Sequence, residues 1–200
     1  MIISILKLKA ANACASNEKN RDYLNGVHVE CTATHIIYVA TDGHRLIAIN
    51  SEYKPDNTDR LQAGVIIPTG FIAKIKVNKH TSGDADLTVD NGLVIISYDR
   101  DTFYTKPIDG TFPNWRRVLP TACTGETAQF NPEYLTSFVK AAKAMYGGPR
   151  PIALSHNGEG AALVRIGAET DAVGVLMPIK TSAPLTCVPD WATTTNATED

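Results

Sequence analysis

Asp42 and His44 stand two positions apart in the stretch YVATDGHRLIAIN, residues 38–50, with apolar runs on both sides. On a continuous strand, residues two apart share a face, and a carboxylate beside an imidazole is a pairing suited to acid–base work. A hydrolase built on that pair also needs a nucleophile and oxyanion donors. The chain has no G-x-S-x-G, no serine or cysteine placed as a partner, no paired carboxylates, no P-loop and no dinucleotide fingerprint. The glycines of NGEGAALVRIG fall in a hairpin pattern, not ahead of a helix. The residues therefore point away from an enzyme. Asp42-Gly43 suits a tight reversal that needs positive φ, which leaves His44, Arg45 and Leu46 to be explained.

Metal chemistry finds equally little support. His28 and Cys31 lie three apart, which on a strand sends them to opposite faces. Cys14, Cys31, Cys123 and Cys187 are scattered, with no CxxC pair, so reduced thiols in a cytoplasm and no metal or other cofactor are expected. The 200 residues carry 44% hydrophobic and 20% charged residues with a formal net charge of −2, ordinary for a soluble protein. No apolar run approaches the roughly 18–20 residues of a membrane span, and the lysines inside MIISILKLKAANACAS make it a poor signal peptide. The Asn196 sequon carries no weight without a secretion signal.

Three segments share one plan: a short strand, a helix, then two or three strands. In the first, residues 1–50, the alanine-rich 5–16 is helix-compatible and LNGVHVECTATHIIYVATDGHRLIAIN reads as paired strands. In the second, residues 62–109, AGVIIPTG predicts a strand and FIAKIKV one or two helical turns. DLTVDNGLVIISY predicts a hairpin, because Asp90-Asn91-Gly92 tolerates positive φ, with a further turn and strand in DRDTFYTKPID. In the third, residues 125–180, Asn131 and Pro132 open a helix whose Leu135, Phe138, Val139 and Ala142 share a stripe, and Gly147-Gly148-Pro149 stops it. A hairpin about Asn157-Gly158 and a buried strand in DAVGVLMPIK complete it. The connector DGTFPNWRRVLP is too apolar for a plain linker, and TTTNATED has the composition of disorder.

Lysine concentrates in the helices: Lys7 and Lys9, Lys74 and Lys76, Lys140 and Lys143. Acidic residues crowd the turns and the tail, among them Asp90, Asp99, Asp101 and Asp171. For any one helix, a solvated face explains this. For three together, a lysine lining that holds phosphates without reading sequence is the alternative.

The strings RDYLNGVHVE, VATDGHRL and DGTFPNWRRVLP, in this order, resemble the middle domain of the bacterial sliding clamp, the β subunit of DNA polymerase III. FNPEYLTSFVKAAKAM and VLMPIK resemble the last half-domain of the same family. The resemblance implies an α+β fold of DNA-clamp modules, with helices lining a central hole and antiparallel sheets outside. It divides the chain into two modules over 1–120, a single module over 121–180 and a tail over 181–200. Clamp subunits have six modules; three are counted here. A ring of about twelve would need four copies, with an open oligomer or a monomer as alternatives.

The resemblance also implies a groove for short linear motifs of polymerases and clamp-loader proteins. Its residues would be Leu24, Thr41, Gly43, His44, Arg45, Leu46, Pro113, Arg117, Val118, Val175, Met177, Pro178 and Ile179. The six helix lysines would face duplex DNA. The implied function is a processivity factor of DNA replication, homo-oligomeric, cytoplasmic and without membrane contact. The alternative is a decoy or adaptor that keeps the groove without encircling DNA. The first half of the tail, LTCVPDW, could fold back into that groove, against the plainer reading of a frayed end.

Overall fold

The computed structural model describes residues 1–52, 64–77, 83–168 and 170–180. The tail beyond residue 180, with its sequon, Cys187 and the LTCVPDW segment, lies outside them. Among the described residues, three α-helices and eleven strands follow the expected order closely.

The first segment is β1 (Ile2–Ser4), α1 (Ile5–Asn12), β2 (Gly26–Cys31), β3 (His35–Thr41) and β4 (Arg45–Glu52). Ser4 caps α1 by accepting a hydrogen bond from the Lys7 backbone N–H at 3.3 Å. The helix is shorter than the 5–16 composition allowed. Ser16 N–H donates to the Leu24 carbonyl at 3.0 Å, which turns the chain toward the sheet. The second segment is β5 (Val65–Pro68), α2 (Thr69–Lys74), β6 (Asp84–Asp90), β7 (Leu93–Tyr98) and β8 (Asp101–Thr105). The hairpin between β6 and β7 turns at Asn91 and Gly92, both at positive φ.

The third segment departs from the shared plan. It contains α3 (Pro132–Tyr146), β9 (Ile152–Ser155), β10 (Ala162–Ile166) and β11 (Ala172–Leu176), but no strand precedes its helix. The reason lies in how the first two segments use theirs. β1 pairs with β6 and β5 pairs with β2, so each lead strand is held by the sheet of the other segment. The third segment has no such companion among the described residues. Its helix forms as the caps require: the Asn131 side chain accepts from Glu133 N–H at 2.9 Å, and Gly147 ends it at φ 71°.

Two antiparallel sheets result, β1-β6-β7-β8 and β5-β2-β3-β4-β11-β10-β9. The second sheet runs continuously from the first segment into the third through the β4–β11 pair. Strand alternation gives this sheet two buried faces. Ile36, Tyr38, Ala40, Ile47 and Ile49 point toward the helices and the main core. Val39, Leu46, Ala48 and Val175 point the other way, where Trp115 and Phe112 of the connector cover them. α1 packs on both α2 and α3, so the helices form one layer on the inner side of the large sheet. Among the described residues no helix is long and apolar enough to cross a membrane.

Two close fits hold these layers together. Tyr38 is buried, and its hydroxyl accepts the Ser4 N–H at 2.8 Å, tying β3 to β1; left unpaired, such a group would cost about 1–3 kcal/mol. Gly174 on β11 lets α3 approach, because a Cβ there would lie 2.5 Å from the Phe138 ring.

Candidate functional site

Register across three neighbouring strands builds the centre of the site. Leu46 on β4 lies opposite Thr41 on β3 and opposite Val175 on β11. These three residues form a row on the face away from the helices. Leu24, from a short 3-10 turn (Asp22–Leu24), closes one end, and the connector's own 3-10 turn (Trp115–Val118) closes the other. Past the end of β11 the pairing continues, with Met177 N–H donating to the His44 carbonyl at 2.8 Å.

A cleft of about 220 Å³ lies among these elements. It is lined by Leu24, Thr41, Gly43, His44, Arg45, Leu46, Pro113, Val118, Val175 and Met177, ten of the thirteen residues expected at a groove. Leu24, Leu46, Trp115 and Val175 form a buried floor. Val118 and Met177 stand up from it, 48% and 40% exposed. Two large apolar side chains thus stand half in water at the mouth of an apolar cleft.

Arg117, Pro178 and Ile179 lie outside the cleft lining. Arg117 sits exposed on the connector's turn, and Ile179 is 43% exposed, its N–H donating to the Gln129 carbonyl at 2.9 Å. Arg21, Tyr23, Asn114 and Trp115 also line the cleft, and sequence reasoning missed all four. The signal was present for Trp115, an aromatic inside the proline-bounded connector beside Pro113. Arg21 and Tyr23 belong to the quoted RDYLNG string, next to Leu24.

The segment 42–45 is a turn, not a continuous strand. Asp42 Oδ1 accepts from the backbone N–H groups of His44 and Arg45 at 2.9 and 3.0 Å, and its Oδ2 lies 3.2 Å from Arg45 Nε. Gly43 adopts φ +93°, and a Cβ there would lie 2.8 Å from the Arg21 guanidinium. The carboxylate is thus engaged with its own turn rather than with the His44 imidazole. His44 instead stacks on Tyr134 of α3 with ring centroids 5.6 Å apart, and the Arg45 guanidinium carbon lies 4.9 Å from the same ring.

The connector is pinned across the back of the sheet. Ile108 N–H donates to the Ile66 carbonyl at 2.9 Å, Phe112 stacks on His28 at 4.8 Å, and Arg116 pairs with Glu30. Hydrogen bonding from His28, then from Arg116, outweighs burial and holds the Glu30 carboxyl down at about 2. Cys14 is buried with its thiol pushed up to about 12 by desolvation, so it is protonated and unreactive.

The structure divides the six lysines. Lys7 Nζ donates to the Asn50 carbonyl at 2.6 Å and lies 3.1 Å from Asp171, and Lys9 Nζ donates to the Ile72 carbonyl at 3.1 Å. Both ammonium groups are engaged within the fold, joining α1 to β4 and capping α2. Lys74, Lys76, Lys140 and Lys143 are exposed on or beside α2 and α3, on the side of the sheet away from the cleft.

Residues 6–114 match the family model described as DNA polymerase III beta subunit, central domain. The beta sliding clamp of Treponema pallidum is 33% identical over 105 residues, covering 52% of this chain and 28% of its own length. That of Vibrio cholerae is 32% identical over 129 residues, covering 64% of this chain and 34% of its own. The chain thus matches about a third or less of these relatives. In fold, a Pseudomonas aeruginosa sliding clamp superposes over 90% of this chain and 66% of its own with a TM-score of 0.74 at 19% identity. A Bartonella birtlesii clamp, solved bound to griselimycin, superposes over 90% of this chain and 66% of its own with a TM-score of 0.67 at 20% identity. With the fold shared and more than half of the residues matched, the chain belongs to the DNA polymerase III beta subunit, or sliding clamp, family.

Proposed function

We propose that the protein is a clamp-type processivity factor whose cleft at the β4–β11 junction receives short linear peptide motifs of a polymerase or loader, and whose helix layer rests on duplex DNA. The observation that carries the reading is the cleft itself: a buried apolar floor, two exposed apolar walls and an arginine rim. Such a site seats a leucine or aromatic side chain of an extended peptide, while His44 and Arg45 meet its backbone or a carboxylate. Met177 is flexible and adapts to differing side chains.

The DNA reading rests on Lys74, Lys76, Lys140 and Lys143, four exposed ammonium groups on the layer opposite the cleft. Sequence-independent contact through phosphates needs little more. Nothing in the reading assigns a reaction to the chain. A labelled peptide ending in two bulky apolar residues, titrated by fluorescence anisotropy, tests the groove. Micromolar binding lost in Met177→Glu, with no change in melting temperature, is the expected result; absence of binding by the folded protein would overturn it.

The decoy reading draws on one observation: two of the six lysines are engaged internally, which weakens the DNA surface. Retention on nicked circular plasmid, released by linearisation, separates the two. Peptide binding without retention favours the decoy.

A further inference from the structure

We infer that Glu30 positions the cleft from outside it: through Arg116 it fixes the Trp115 indole that floors the groove. The inference rests on the groove reading and adds to it residues that line no part of the cleft.

Strand register places Glu30 on the face that carries the cleft. On β2, His28 lies opposite Val39 and Glu30 opposite Ile37, both on β3. Residues directly opposite in a ladder share a face, and Val39 and Ile37 belong to the apolar cluster that includes Trp115. His28 and Glu30 therefore stand on the same side as Leu46, with β3 between their strand and β4.

The connector reaches that side with little structure of its own. Its 3-10 turn, Trp115–Val118, has four residues and no side-chain cap. A helical turn this short is held by packing rather than by its own hydrogen bonds. The indole joins Val39, Leu46, Ala48 and Val175 in the cluster. Apolar contact is non-directional, so such a floor does not by itself set the angle of the ring.

Direction comes from above. The Arg116 guanidinium carbon stands 4.2 Å from the centroid of the Trp115 ring. Arg116 is half exposed, and alone it would trade that stack for water. Glu30 holds it, pairing through Oε1 with Arg116 Nη2. Glu30 Oε2 lies 3.6 Å from His28 Nε2, and the His28 ring stacks on Phe112 at 4.8 Å. Gly64 leaves the room this ring needs, because a Cβ there would collide with His28 Cε1.

These contacts close a loop. It leaves the connector at Phe112, passes through His28 and Glu30 on β2, and returns at Arg116 and Trp115. Pro113 and Asn114, which line the cleft, are strung between its ends. Phe112, Arg116, His28 and Glu30 are absent from the lining. The Glu30 carboxyl, held down at about 2, is charged throughout the neutral range. Beyond stability, the pair supplies orientation: a planar guanidinium fixed by a carboxylate fixes in turn the ring it stacks on.

The sequence holds two tryptophans, so Trp191→Phe leaves Trp115 as the sole emitter. In that background, emission and acrylamide quenching report the indole, and anisotropy with the labelled peptide reports the cleft, at a temperature where every variant is folded. Glu30→Ala should shift Trp115 emission to the red, raise its quenching and weaken the peptide about tenfold. Arg116→Ala should do the same, and the double variant should lose no more than Arg116→Ala alone, since Glu30 acts through Arg116. Glu30→Gln keeps the shape and one hydrogen bond to Arg116, so it should recover part of both signals. A general loosening of the fold would not rank the variants in this way. Unchanged emission in Glu30→Ala overturns the inference. So does a red shift that leaves peptide affinity untouched, or additive losses in the double variant. A parent that binds no peptide would overturn the groove reading instead, and the emission arm, which needs no peptide, still decides whether Glu30 holds Trp115.

Discussion

The ring of Tyr134, on the first turn of α3, is contacted by both His44 and Arg45 of the 42–45 turn, at 5.6 Å and 4.9 Å. This contact locks the helix of one module to the turn that forms the cleft wall of another. An aromatic stack and a cation over the same ring are each worth about 0.5–1.5 kcal/mol. Tyr134→Ala should therefore cost about 1–2 kcal/mol in urea unfolding, whereas Tyr134→Phe should be near neutral. Equal losses in both variants would assign the effect to the hydroxyl instead.

Gly174 should tolerate no side chain. Alanine there drives a methyl against the Phe138 ring at 2.5 Å and Val164 at 2.9 Å. An overpacked core of this kind loses about 1–3 kcal/mol. The compensating pair Gly174→Ala with Phe138→Leu should recover part of that loss, measured by denaturant midpoint.

Glu30 makes stability pH-dependent in a definite direction. Its carboxyl is held down from the ordinary 4.5 to about 2 in the folded state. The stabilisation it gives is complete above the unfolded value and fades as pH falls from about 4.5 toward 2. Glu30→Gln should flatten that acid limb relative to the parent, and Arg116→Ala should flatten it partly. Parallel limbs in parent and Glu30→Gln would show that the connector is not pinned through this group.

Val118 and Met177 are exposed, so charge there should leave folding within about 0.5 kcal/mol. Val118→Asp should nevertheless weaken peptide binding at least tenfold by anisotropy, because it places a carboxylate at an apolar wall. Arg117→Ala, outside the lining, should change affinity less than threefold. The reverse ranking would move the binding surface off the cleft.

How much of this was legible in the residues depended on range. Local chemistry was readable: Asp42-Gly43 demanded a turn, Asn131-Pro132 opened a helix, and Asn91-Gly92 closed a hairpin. The α+β class followed from the family resemblance, and ten of the thirteen residues it implied for a groove lie among the fourteen that line the cleft. Long-range pairing was not readable. Nothing in IIS or VIIP says that each will leave its own segment for a neighbouring sheet. Equally, nothing before α3 says that its strand will be missing. Lys7 and Lys9 looked like their four companions until tertiary contacts brought Asn50, Asp171 and Ile72 within reach.

Because Leu46 is flanked by ladder partners on both sides, the floor of the cleft is set by backbone hydrogen bonds. That base has a fixed gauge. A ligand cannot spread it without unzipping β4 from β11, so rivals seated on it should differ chiefly in how long they stay.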